Sequence, residues 1–333
     1  MAFCLFLLYK FNAEAYRERG KYMRAGHGRF TSYIGMLAVD FKRNQAIYLM
    51  AVPVLAYYIL FHYAPMYGAI IAFKDFSPGK GIIGSPWVGF KHFVDFFNNY
   101  YFWTILRNTL LINIYGLLWG FPAPIIFALL LNELRNNSFK RTVQTVTYLP
   151  HFISIIVICG LIRNFTGTDG LINDIISSFG GERSNLLTRP EMFRTVYISS
   201  GIWQGIGWGS IIYLAALSCI DPALYEAAKI DGAGRWKQML NITIPGIAPT
   251  IITLLILRMG RMLSLGFEKI ILLYNPLTYD TADVISSFVY RRGIIDASFS
   301  FASAVGLFNS VINCCLIIAA NKLSRRFSDT YLW

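Results

Sequence analysis

Six stretches of at least 20 residues contain no Asp, Glu, Lys or Arg: Asn44–Phe73, Asn108–Asn132, Thr142–Ile162, Thr195–Ile220, Gln238–Leu257 and Ala297–Asn321. A bilayer core about 30 Å thick needs roughly 20 mostly apolar helical residues, so each stretch is long enough to cross one. No seventh stretch reaches that length. Hydrocarbon offers no partner for a bare backbone amide, so a spanning segment must be a helix or a strand of a closed barrel. Barrel strands are about ten residues of alternating polarity. These runs are longer and apolar throughout. The expected fold is an all-α membrane protein with six transmembrane helices, at about 45–61, 107–131, 143–162, 195–217, 247–267 and 301–320.

Composition agrees. The chain is 55% hydrophobic and 14% charged, against about 25% charged in an ordinary soluble domain. Disorder is excluded, because it needs low hydrophobicity and high charge. The net charge of +12 follows membrane topology. With the N-terminus inside, the inner segments hold 17 Lys and Arg and the outer segments 9, as expected when basic residues collect on the cytoplasmic side. Both termini are therefore expected in the cytoplasm. The aromatics sit in the apolar runs and not on a basic face, so no nucleic-acid role is expected.

Residues 1–44 read as a cytoplasmic basic tail, with Tyr16–Arg24 suited to anionic headgroups. Residues 45–320 read as the transmembrane domain, with an inner loop at 218–246, and residues 321–333 as a second cytoplasmic tail. The apolar segment Met1–Tyr9 is too short to span, and no basic region precedes it, so it does not read as a secretory signal. Five cysteines and four histidines form neither a disulfide framework nor a metal-ligand spacing. No metal site is expected.

The inner loop runs Asp221-Pro222-Ala223-Leu224-Tyr225-Glu226-Ala227-Ala228, continues through Asp231-Gly232-Ala233-Gly234, and closes at Ile242-Thr243-Ile244-Pro245. Asp221 is a good N-cap and Pro222 a good first helical residue. Gly232 and Gly234 break the helix, Arg235–Thr243 restart one, and Pro245 is expected to end it. This loop resembles the EAA motif of the membrane-spanning subunits of bacterial ATP-binding-cassette importers. Glu226-Ala227-Ala228, Gly232 and Ile242–Pro245 match its order and spacing. Ile244 departs from it, where Leu is usual. The segments Tyr67–Phe73, Trp87–Phe90, Trp203–Trp208, Gly266–Ile270, Tyr274–Pro276 and Leu332-Trp333 are similar to the oligosaccharide branch, and especially to permeases for acidic fragments such as uronate or alginate oligomers.

The resemblance implies a type I importer permease fold in the bacterial cytoplasmic (inner) membrane. It also implies partners: a second permease subunit, expected to be a related, non-identical chain, two ATPase subunits and an extracytoplasmic solute-binding protein. Glu226, Ala227, Ala228, Asp231, Gly232, Ala233 and Pro245 would form the coupling element, with Glu226 pairing with a basic group of the ATPase. No cofactor is expected on this chain. ATP and Mg would sit on the partner ATPases, since no Gly-x4-Gly-Lys-[Ser/Thr] pattern occurs. No catalytic set is found, so the chain reads as a transporter subunit and not an enzyme.

For the substrate path the residues suggest Trp203, Gln204, Trp208 and Tyr213 on helix 4, because rings stack on sugar faces. On helix 5, Arg258 lies about 16 Å into the span at 1.5 Å per residue. On a continuous helix Arg258, Arg261, Glu268 and Lys269 share one stripe. The stripe suits either a path for an acidic sugar or an internal ion-pair network. A neutral sugar remains the alternative substrate. A stand-alone secondary transporter or channel is the alternative class, though no internal inverted repeat supports it.

Overall fold

A computed structural model describes residues 44–327. The expected tails, Met1–Tyr9 and Leu332-Trp333 fall largely or wholly outside the described residues. The described chain is helical, with no strand and one isolated bridge between Lys74 and Trp87. Among the described residues five helices are long and apolar enough to cross a membrane, and a sixth is counted if the bent pair Pro190–Ser218 and Pro222–Ile230 forms one span.

The chain divides into two units, residues 1–68 and 69–333. The first helix, α1, is Gln45–Phe73. It runs past the expected end at Phe61, because Pro65 is absorbed by the π-turn Ile59–Tyr63 before it. A proline has no N–H to donate and its ring crowds the carbonyl four residues back, and a π-turn lets the helix continue around it.

In the second unit, short α2 (Lys91–Phe97) leads to α3 (Phe102–Leu118) and α4 (Pro122–Glu133). These two make one span of 32 residues, interrupted at Trp119–Phe121, just before Pro122. The sequence had suggested one unbroken helix. The next apolar run is also divided. It gives α5 (Asn137–Tyr148), a 3-10 turn at Leu149–Phe152 and α6 (Ile155–Thr166), with Ser154 capping α6 through Val157 N. Pro150 sits at the head of the interruption. The expected inner turn at 132–142 therefore shrinks to three residues, because Asn136 caps α5 by accepting from Ser138 N and Phe139 N. After α7 (Leu171–Ser178) comes α8 (Pro190–Ser218), 29 residues without a break.

The loop after α8 contains α9 (Pro222–Ile230), followed by α10 (Arg235–Met259). Pro245 does not end the helix there, as the sequence had suggested. The π-turn Met239–Thr243 precedes it and the helix carries on. Helix α10 instead stops at Gly260, and α11 (Phe267–Leu273) begins after a gap. The fold closes with α12 (Ile285–Tyr290) and α13 (Phe299–Phe327).

Helix α8 is the hub of this unit. Gly209 lets Pro124 of α4 approach so closely that a Cβ there would lie 3.0 Å from the proline ring, and a Cβ on Gly207 would overlap the Thr147 carbonyl of α5. Small residues permit such approaches where no hydrophobic effect drives helices together in lipid. Ala128, Tyr213, Leu217 and Ile247 close the contact among α4, α8 and α10.

At the other end of α8, Asn108 is fully buried and joins three segments. Its amide donates to the carbonyls of Asp280 and Asp283, both at 3.0 Å, and its oxygen accepts from Arg194 at 2.9 Å. Asp283 in turn pairs with Arg291 at 2.6 Å and accepts from Ser287. Burial disfavours the Arg291 charge, but the hydrogen bonds and charge of Asp283 outweigh it and hold the guanidinium above its ordinary pKa.

Gly207→Ala is expected to lower stability by about 1–3 kcal/mol, the usual cost of overpacking. Gly205→Ala, two residues away with open space around a Cβ, is expected to be neutral. Melting of the two variants in detergent checks the contrast. Equal melting points would mean that α5 and α8 do not meet as described.

Candidate functional site

The inner loop folds as the residues dictate. Asp221 accepts from Ala223 N at 2.9 Å, and Pro222 opens α9. The helix ends in a Schellman closure: Gly232 N donates to Lys229 O at 3.1 Å and Ala233 N to Ala228 O at 2.8 Å. Gly232 has φ +72°, the left-handed conformation that a Cβ resists. Gln238 then donates to Ala233 O at 2.7 Å, which ties the turn to α10.

Helix α9 leaves the axis of α8 at 69°. One side of it is tethered, with the Tyr225 hydroxyl 2.9 Å from Thr243 Oγ1. The other side is open. Leu224, Glu226, Ala227 and Ile230 are exposed. Glu226 forms no ion pair among the described residues. Asp231 and Gly232 are exposed at the tip, Ala233 is half-buried behind them, and Pro245 lies back along α10. The expected coupling residues other than Pro245 thus cluster on one short helix and its turn. The helix carries a bare carboxylate, two alanines that admit close contact and an apolar rim.

The expected path residues do not stay together. Trp203 and Trp208 are 45% and 44% exposed, and Gln204 is half-buried. Tyr213 is only 4% exposed and packs against Ala128, Leu217 and Ile247. It sits in the core of this chain. The polar stripe also dissolves, because it assumed a helix continuous through residue 269. Gly260 ends α10, so Arg261 lies in the following turn and Glu268 opens α11. Neither an Arg258–Glu268 nor an Arg261–Glu268 pair forms. Lys269, buried, donates to Tyr197 O at 3.2 Å.

Arg258 keeps a distinct place. Its Nη2 donates to Gly116 O at 3.0 Å, across the point where α3 stops. A carbonyl at a helix end lacks an intrahelical donor, and a cation there also favours the dipole. Arg258 is exposed and has no carboxylate partner among the described residues.

Two groups escaped the sequence reading. Asn108 looked like any polar residue at the edge of an apolar run, and nothing local signals its three partners. His151 is one of four histidines in the chain. It stacks on Trp208 beside Phe152, and the only hint was Pro150 inside a span.

Residues 120–329 match the family described as binding-protein-dependent transport system inner membrane component. Protein LplB of Bacillus subtilis (strain 168) is 45% identical over 293 residues, which is 88% of this chain and 92% of that protein. The polygalacturonan/rhamnogalacturonan transport system permease protein YteP of the same organism is 45% identical over 294 residues, with the same coverage. Among solved structures, a chain of a bacterial ABC transporter involved in import of the acidic polysaccharide alginate superposes with TM-score 0.81 at 45% identity. The match covers 87% of this chain and 99% of the other. A chain of a bacterial alginate ABC transporter in complex with alginate pentasaccharide-bound periplasmic protein gives TM-score 0.82 at 44% identity, covering 88% and 98%.

Tyr225→Phe removes the tether to Thr243. A hydrogen bond of about 1 kcal/mol predicts amide exchange about fivefold faster across 222–231, read by hydrogen–deuterium exchange. Unchanged exchange would mean that the cap and the Schellman closure alone hold the helix.

Proposed function

This chain belongs to the family of binding-protein-dependent transport system inner membrane components, and from that premise we propose that it imports oligosaccharides carrying acidic sugars. It is the membrane-spanning permease subunit of an ABC importer and is not itself the ATPase. The acidic substrate is favoured by relatives named for polygalacturonan/rhamnogalacturonan transport and for alginate import. Arg258 adds to this, as an exposed guanidinium on a spanning helix with no carboxylate partner among the described residues. Planar arginine forks suit carboxylates, and an ionisable group inside a span is a functional candidate by default.

The single observation that carries the coupling role is α9, a capped, exposed helix turned 69° from α8 and closed at Gly232. In this reading α9 docks on an ATPase subunit, and Glu226 meets a basic group there. Ala227 and Ala228 permit close contact. ATP and Mg act on the two ATPase subunits, and their closure moves α9. Because α9 is capped at both ends and tethered by Tyr225, it moves as one body and passes the motion to α8 and α10. The spans then exchange inward- and outward-facing states, a two-state element biased by a ligand. A second, related permease chain completes the path, the binding protein delivers substrate from outside, and both termini lie in the cytoplasm.

Gly232→Asp tests the docking role. Open space surrounds a Cβ there, so the fold survives. The left-handed backbone adds strain of about 1–2 kcal/mol, and a further negative charge joins Glu226 and Asp231 on the docking face. Expected is normal membrane insertion with ATP hydrolysis uncoupled from uptake, and normal uptake by this variant would refute the role. Arg258→Ala tests the substrate class. Uptake of trigalacturonate is expected to fall about tenfold, as for loss of one charge-assisted contact, and uptake of maltotriose much less. Equal loss would assign Arg258 to holding the Gly116 carbonyl alone.

A further inference from the structure

Two arginines converge where α3 and α8 begin. Arg107 Nη2 donates to Asp280 O at 3.4 Å, and Arg194 Nη2 donates to Asn108 Oδ1 at 2.9 Å. The Asn108 amide also donates to Asp280 O, so both guanidinia are anchored on one knot. Their charges are near enough to repel one another. Neither forms an ion pair among the described residues, and Arg194 Nε finds no hydrogen-bond partner there. Asp280 meets them through its backbone carbonyl, not its carboxylate. Two cations held together with no counter-charge are costly inside a membrane.

Their depth and surroundings say what would supply it. Arg107 is five residues into the span that opens at Phe102, and Arg194 four residues into the span that opens at Pro190. At 1.5 Å per residue these are about 8 Å and 6 Å, within reach of the headgroups for a long side chain that snorkels. Tyr100, Tyr101 and Trp103 stand exposed at the head of α3, as aromatics do at a membrane–water boundary. Trp103, Arg107, Leu110 and Ile114 recur at helical spacing on one face, and all four are exposed. Below Arg107 that face is apolar, which suits an acyl chain and not a polar sugar. The pair lies at the end of α8 opposite α9, which is the outer leaflet in the reading above.

We infer that Arg107 and Arg194 form a site for the phosphate of an anionic phospholipid. The phosphate supplies the missing negative charge to both guanidinia, whose planar N–H forks suit its oxygens. Trp103 covers the glycerol region, and the acyl chain follows Leu110 and Ile114 along α3. A lipid held there closes the seam between α3 and α8 on the side where Asn108 joins them. The site is separate from Arg258 and does not depend on which sugar is carried.

The test uses the complex of this chain with its second permease and ATPases, purified in mild detergent and stripped of lipid. Native mass spectrometry counts the lipids retained as phosphatidylglycerol or phosphatidylcholine is added back. Wild type is expected to hold one phosphatidylglycerol about tenfold more tightly than Arg107→Gln does, the loss of roughly one charge-assisted contact, and to prefer it to phosphatidylcholine. Arg107→Lys keeps the charge and should recover most of the affinity. Trp103→Leu leaves both arginines in place and should weaken binding about threefold. Arg183→Gln, which removes a cation paired with Asp174 outside the spans, should bind as wild type does. Equal retention by wild type, Arg107→Gln and Trp103→Leu overturns the inference. So does displacement of the lipid by millimolar inorganic phosphate, which would make the pair a site for a soluble anion. Displacement by trigalacturonate would overturn it too, by assigning the arginines to the sugar.

Discussion

Every backbone group in the hydrocarbon core must find its partner inside the protein. Irregular backbone nevertheless falls inside two of its apolar runs, at Trp119–Phe121 and at Leu149–Ser154, and follows the fifth span between Gly260 and Gly266. Each interruption exposes amides and carbonyls that side chains from elsewhere must cover. Arg258 covers Gly116 O, Asn313 accepts from Leu263 N, and Ser154 caps Val157 N. Irregular backbone at membrane depth is tolerated where it is buried in protein or lines a water-filled cavity. The breaks at 119–121 and 149–154 both adjoin segments packed on α8, which runs 29 residues without a break.

The same constraint separates rigid parts from adaptable ones. Helix α9 is a closed unit, with its first amides met by Asp221 and its last carbonyls by Gly232 and Ala233. It has few unsatisfied groups with which to deform. The interior of the spans is assembled from single contacts across breaks, and such contacts can be exchanged between two arrangements. At the far end of α8, Asn108, Arg194, Asp283 and Arg291 bind three segments into one body.

Much of the inner loop was legible in the sequence because its signals are local. A cap is read from Asp221-Pro222, a turn from Asp231-Gly232, and both depend on atoms within a few residues. Which side of α8 is buried was not legible: Trp208 is open and Tyr213 on the same helix turned into the core, because that depends on α4 and α10. The stripe through Arg258, Arg261, Glu268 and Lys269 failed for a different reason. A projection at 100° per residue holds only while the helix lasts, and Gly260 stops it. The prolines misled in both directions. Pro245 and Pro65 are absorbed by π-turns, while Pro122 and Pro150 accompany real interruptions, and the choice depends on whether neighbouring segments offer partners to the freed groups.

The sequence by itself determined that this chain lives in a bilayer, that its apolar runs number six, and that a capped helix with a glycine closure lies between the fourth and fifth. These follow from hydropathy and from short-range hydrogen bonding, which do not depend on distant residues. Only the tertiary structure decided where the spans break, which aromatic residues stay open, that Arg258 meets a backbone carbonyl and not Glu268, and that His151 stacks on Trp208. Each of those outcomes depends on a partner far away in the chain. In hydrocarbon the partner's presence decides whether an exposed backbone group is tolerated at all.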